Sequence, residues 1–193
     1  MKKDFRKMMN DCCSDFIQDN TNEKDFEVVK IEKTKAVCAQ CEKATESKAD
    51  TGVPIAVISC EGACLRGEVS RRVANNICFK EIPEKTFRVC LGGAFTKDTN
   101  QRKLVRNSQK VIALEGCSIM CASRMMKGVL PNVAFQPILV NQHYKIDNNL
   151  FAINDLSDEV TDKLAEAATK SILDILYNSA TKSKEEDANN CGC

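Results

Sequence analysis

The chain has 193 residues, 28 basic and 27 acidic, for a net charge of +1. That balance, with no Trp and only 2 Tyr, leaves no electrostatic footprint or stacking surface for nucleic acid. No stretch approaches the ~18 apolar residues of a membrane span, and Asp11, Asp15 and Asp19 stand where a signal peptide would be apolar, so a cytoplasmic protein is expected.

Cysteine is the abnormal component, at 12 residues. A chain of this length can bury a core without covalent staples, so clustered cysteines in the cytosol mean metal, redox chemistry or buried small hydrophobes. The expected partners are a metal ion and a protein that donates or accepts metal or electrons.

In chain order, Phe5, Met8, Met9, Cys12 and Phe16 have helical spacing, and Asp19–Lys24 is a polar linker. Phe26–Ile31 is expected to be a short strand leading into Cys38-Ala-Gln-Cys41. The charged, aperiodic stretch Glu42–Thr51 is expected to be an exposed loop. Ile55–Ser59 is a continuous apolar run, as in a strand covered on both faces. Leu65, Val69, Val73 and Ile77 form the apolar row of a helix over 62–77, and Cys78 beside it is expected to be a packing residue. Phe87–Leu91 is expected to be a second strand carrying Cys90, closed by a Gly92-Gly93 turn, with Asp98–Gln101 as a capping box for a short helix. Next come a strand, Val111–Leu114, a helix over about Cys117–Lys127, and, after Pro131, a last strand, Phe135–Val140. Ser157 caps a final helix whose row is Val160, Leu164, Ala168, Ile172 and Ile175; from Thr181 a disordered tail is expected, ending Cys191-Gly-Cys193. The expected organisation is an N-terminal extension (1–52), a small three-layer α/β domain (53–180) and a tail (181–193).

Alternating strands and helices imply a mostly parallel sheet of about four strands, whose ligands sit beyond the strands' carboxyl ends. Cys60, Cys90 and Cys117 fall at those ends, and Cys-x-x-x-Cys spacing at a helix start would aim Cys64 and Cys121 at the same place. A helix N-terminus favours the thiolate, and four thiolates suit a thiophilic cation, with Arg66 and Arg124 available to offset the charge. By pattern alone, metal stands level with dithiol redox chemistry or packing.

The blocks Ser59-Cys60-Glu61-Gly62-Ala63, Arg88-Val89-Cys90-Leu91-Gly92-Gly93 and Leu114-Glu115-Gly116-Cys117-Ser118-Ile119-Met120-Cys121-Ala122 resemble, in order, the DGC-domain family, named for an Asp-Gly-Cys motif. The resemblance spans roughly Val53–Leu139. It implies a small α/β domain with a four-cysteine zinc site at Cys60, Cys90, Cys117 and Cys121. The chain departs from the motif in having Glu115 for Asp, and Cys64 is an additional thiol, while Cys38 and Cys41 form a half-site of common metal or redox spacing.

Three readings follow: a protein binding Zn²⁺ or another soft metal or metalloid, an iron–sulfur protein, and a thiol–disulfide oxidoreductase working through Cys38 and Cys41. The third is the weakest because residues 42–51 lack the apolar face of a helix behind the pair. Binding is favoured over catalysis: His143 is expected in an exposed loop, Gly92-Gly93 lacks any phosphate-loop pattern, and Glu61 and Glu115 suit turns or supporting roles better than acid–base catalysis.

Overall fold

The computed structural model describes residues 30–50 and 55–189. The chain divides into two compact units, Met1–Lys35 and Ala36–Cys193. The helix expected near the N-terminus, Cys12, Cys13, Cys191 and Cys193 lie outside the described residues. Of the strand expected at Phe26–Ile31, Lys30 and Ile31 are described, and they carry no regular structure.

In the second unit the order is α1 (Ala39–Asp50), β1 (Ile55–Ser59), α2 (Leu65–Asn76), a π-helical turn (Ile77–Glu81), β2 (Thr86–Arg88), α3 (Leu91–Phe95), α4 (Asn100–Asn107), β3 (Lys110–Glu115), α5 (Cys121–Val129), β4 (Gln136–Leu139) and α6 (Asp158–Asn189). The strands form one sheet, ordered β2-β1-β3-β4, with every neighbouring pair parallel. Parallel pairing explains the unbroken apolar runs, since helices cover both faces. On one face Val57, Ile112, Leu114 and Ile138 pack against Leu65, Val69, Val73 and Ile77 of the α2 segment and Ala165, Ala168 and Ile172 of α6. On the other, Ala56, Ile58, Val89 and Val111 meet Phe95, Leu104, Val105, Ala122 and Met126. The domain is α/β in three layers, with cysteines at strand ends.

The α2 row is the expected one, all four residues at 0% exposure. The α6 row is rotated: Thr161, Ala165, Ala168, Ile172 and Leu176 are buried, while Val160 and Ile175 are 43% and 38% exposed. Small residues face α2 because its aliphatic row needs close approach. Arg72 fastens the pair, bonding Glu68 (2.7 Å), Asp158 (2.5 Å) and Asp162 (2.8 Å). Instead of a disordered tail, the backbone continues α6 to Asn189 through a stretch without Gly or Pro.

Three further expectations are corrected. Glu42–Asp50 is helical rather than a loop, for α1 docks through polar contacts. Its Glu42 carboxylate accepts from the Asn100 amide (3.2 Å), Glu46 accepts from the Asn100 side chain (3.1 Å), and Thr45 is buried. Gly92-Gly93 lies inside α3 and does not close a turn. The α4 cap is Thr99, whose hydroxyl accepts from Arg102 N, because Gln101 is used elsewhere.

Candidate metal centre

The strand order sets Cys90, Cys60 and Cys117 side by side, since they follow β2, β1 and β3. The sheet ladder runs up to the thiols: Cys60 N donates to Leu114 O (2.8 Å) and Val89 N to Val57 O (2.9 Å). Neighbouring parallel strands are about 4.8 Å apart, which is within the span of two thiols sharing one ion.

Each thiol is held by its own device. Arg88, at the end of β2, donates to Ser59 Oγ (2.6 Å), to Val89 O (2.7 Å) and to the Glu61 carboxylate. It thus clamps both neighbours of Cys60 from a position two residues before Cys90. Gln101, 2% exposed, accepts from Cys90 N (2.8 Å), and the Cys90 sulfur accepts from Gly93 N (3.4 Å) as the cap of α3.

Glu115, the residue at the motif's acidic position, has 0% exposure. Its carboxylate accepts from the backbone N–H of Ser123 (2.6 Å) and Ala122 (3.4 Å), the first turn of α5. Met120, the residue before that helix, is left-handed (φ 53°) and offers no side-chain cap, so Glu115 satisfies the helix start from inside the sheet. The carboxylate therefore positions the helix that begins with Cys121.

Helical spacing does not aim the thiol pairs. Cys117 lies in the turn before α5 and Cys64 is the residue before α2, so neither Cys-x-x-x-Cys stretch is a helical turn. Neither loop is helical because Gly, Ser and Cys carry weak helix preference. Close approach replaces the expected arrangement: a Cβ on Gly116 would meet Arg66 O at 2.7 Å, and one on Gly67 would meet Gly62 O at 2.5 Å.

Burial is the main cause raising the Cys60 thiol above its ordinary 9.0, opposed by hydrogen bonds from the Gly62 and Gly116 amides and reinforced by Glu115 and Cys117. Cys121 is raised too, first by desolvation and then by charge at Cys60 and Glu115, with Arg124 opposing. These couplings place Cys117 and Cys121 within electrostatic reach of Cys60. Cys64 and Cys117 are felt at Tyr144, whose hydroxyl burial pushes up to about 12. Tyr144 lines a cleft of about 340 Å³ with Arg66, Asn141 and Lys145.

The eight described cysteines are all outside disulfides. As oriented, no three Cys, His, Asp or Glu side chains among the described residues stand close enough to hold one metal ion. The donor chemistry nevertheless suits a thiophilic cation: the strand-end donors are thiols, and the Glu115 carboxylate is occupied by amides. Closing a shared coordination sphere requires the thiols to turn about χ1.

Cys38 and Cys41 lie at the start of α1. Cys38 is exposed and Cys41 half-buried. Cys38 O accepts the first helical bond from Glu42 N (3.0 Å), making Cys38 the N-cap. Its sulfur is held below the ordinary thiol range by hydrogen bonds from the Cys41 amide and the Cys41 thiol. Cys41 is correspondingly raised, chiefly by that shared proton, with Cys90 adding to it. Cys78, 3% exposed, is the packing residue expected. His143 is half-buried and hydrogen-bonded to Ser171 Oγ (2.8 Å), a correction to the exposed-loop expectation that arises because α6 passes over it.

The positioning roles of Arg88 and Gln101 are not legible in the sequence. Arg88 stood inside a recognised block with no pattern to mark its target, and Gln101 looked like half of a capping box.

A parallel α/β sheet with cysteines beyond adjacent strand ends defines a cysteine-rich α/β domain. Residues 56–170, more than half of the chain, match the family model described as DGC domain, and the chain belongs to that family. No curated protein and no solved structure matches it. Among the described residues no helix is long and apolar enough to cross a membrane.

Proposed function

We propose that the chain binds one Zn²⁺, or a comparably thiophilic ion, through Cys60, Cys90, Cys117 and Cys121, and serves metal or metalloid handling. The observation that carries this reading is the strand order. It makes neighbours of the three strands that these motif cysteines follow, while Glu115 fixes the helix that starts at the fourth. Bound zinc would supply charge balance for several thiolates and a cross-link between three strand ends and α5. Cys64 stands at the loop beside them as a further thiol for entry or release.

Binding displaces thiol protons, and Cys60 and Cys121 hold theirs above the ordinary range. Affinity should therefore fall as the pH is lowered, with up to about four protons released per ion. Elemental analysis and a visible spectrum of anaerobically purified protein test the proposal against Cys117→Ser/Cys121→Ser. One zinc per chain, lost in the double variant, is the expected result. Iron with sulfide would replace zinc by an iron–sulfur cluster, and protein without metal that does not take up added zinc would overturn the reading.

A further inference from the structure

The Cys38–Cys41 pair has a setting that zinc binding at the strand ends does not use. Its turn is bonded to one short segment: Lys97 Nζ donates to Ala36 O (3.2 Å) and Asn100 N donates to Glu42. The next residue of that segment, Gln101, holds the backbone of Cys90. Dithiol and strand-end thiol are thus pinned to the same five residues, 97–101. Cys38 and Cys90 are exposed, Cys41 is half-buried and Cys60 is buried, so the dithiol and its target can both be reached from solvent.

We infer that Cys38 and Cys41 are a built-in reductant that returns an oxidised Cys90 to its thiol and so restores the metal site. This inference rests on the zinc reading for its purpose but not for its chemistry. A peroxide that strips metal and takes two electrons from Cys60 and Cys90 leaves a Cys60–Cys90 disulfide and is itself reduced to water or alcohol. Cys41 then attacks Cys90 Sγ, passing its proton to the hydrogen-bonded Cys38 thiolate. The Cys41–Cys90 bond forms, the Cys60–Cys90 bond breaks, and Cys60 leaves as a thiolate that takes a proton from water. Cys38, having lost its proton to solvent, attacks Cys41 Sγ. The Cys38–Cys41 bond forms and Cys90 leaves as a thiolate. Two electrons have moved from the dithiol to the strand ends, and an external thiol can reduce the new disulfide by attacking exposed Cys38.

Trapping tests the order of bonds. Full-length protein freed of metal by chelation is oxidised with one equivalent of peroxide, alkylated and digested with trypsin. Cleavage isolates residues 36–43, which hold Cys38 and Cys41, from 89–97, which hold Cys90. In wild type the disulfide should lie within peptide 36–43. Cys38→Ser should accumulate a cross-link between the two peptides, and Cys41→Ser should retain a Cys60–Cys90 disulfide. Absence of the cross-link in Cys38→Ser, in protein whose circular dichroism matches wild type, would overturn the relay. So would wild type that keeps Cys60–Cys90 and leaves 36–43 reduced. Zinc content is measured on the same preparations before chelation, so metal-free protein that still yields the cross-link would sink the zinc reading and leave the relay standing.

Discussion

Glu115 gives the sharpest test of how the centre is framed. Its carboxylate sits at 0% exposure and is the acceptor for two N–H groups, of Ser123 and Ala122, themselves 1% and 0% exposed. Water cannot replace it in Glu115→Ala, so both amides lose their partner. An orphaned buried donor costs about 1–3 kcal/mol, and the 2.6 Å bond from Ser123 to a charged oxygen belongs near the upper end. The 3.4 Å bond from Ala122 belongs near the lower end. Adding a small cavity, Glu115→Ala should lose roughly 4 kcal/mol, a large share of a typical domain's ~5–15 kcal/mol. Glu115→Gln preserves shape and one acceptor but presents an NH₂ to the second amide. It also escapes the cost of burying a charge, so its loss should be smaller, about 1–2 kcal/mol.

Urea denaturation of chelator-treated protein measures both variants. The same substitutions remove a negative charge that raises the Cys121 thiol. Its thiolate is then easier to form, and alkylation of Cys121 near neutral pH should be faster in Glu115→Gln than in wild type. Glu115→Ala within about 1 kcal/mol of wild type would refute the capping role. Unchanged Cys121 reactivity in a folded Glu115→Gln would refute the electrostatic one.

Gly116→Ala should destabilise by about 1–3 kcal/mol, because its Cβ would lie 2.7–3.0 Å from the backbone of Arg66 and Gly67; stability within 0.5 kcal/mol of wild type in urea melts would show that the close approach is not tight. Burial pushes the Cys78 thiol from 9.0 to about 11. A raised folded-state value means stability fully present below pH 9 and lost as the pH rises through 11, on the order of 3 kcal/mol in all. Melts across that window should show the loss, and Cys78→Ala should flatten it; an equally steep limb in the variant would assign the loss to other groups. Tyr144 Oη is buried without a hydrogen-bond partner, so Tyr144→Phe should be neutral or stabilise by up to about 1 kcal/mol, and a lower melting temperature would contradict that.

The strands were legible because parallel sheets bury both faces. Ile55–Ser59 and Val111–Leu114 needed only an apolar run and bounding glycines to be read, and Leu65, Val69, Val73 and Ile77 repeat at helical spacing. Strand order was not legible, since the neighbours β1 and β3 are separated by a whole β-strand in sequence. The α1 helix carries no apolar stripe to mark it, since Glu42 and Glu46 dock it through polar groups. The buried stripe of α6 leaves out the large Val160 and Ile175 and takes in Thr161 and Ala165, which pack where bulk would hold α2 away. At the site, cysteine positions were readable one by one. The groups that hold them, Arg88, Gln101 and the Glu115 carboxylate, act across turns that one-dimensional spacing does not encode.

The frame and the donors of this centre are built to different standards, which bears on how a metal would enter. Arg88, Gln101, Glu115 and the close-packed Gly116 fix the backbone at each thiol through hydrogen bonds and backbone contact. The thiols themselves are outside disulfides and not converged. Assembling a site then requires rotation about χ1 and loss of protons rather than movement of strands. Side-chain rotamer changes cost on the order of 1 kcal/mol each, against roughly 10–16 kcal/mol for a thiolate-rich structural zinc site near neutral pH. On the zinc reading the fold should therefore stand without metal, unlike small zinc modules that unfold on its removal. Chelation should lower the melting temperature without abolishing the far-ultraviolet circular dichroism. Loss of helical signal on chelation would show instead that the ion holds the sheet ends together.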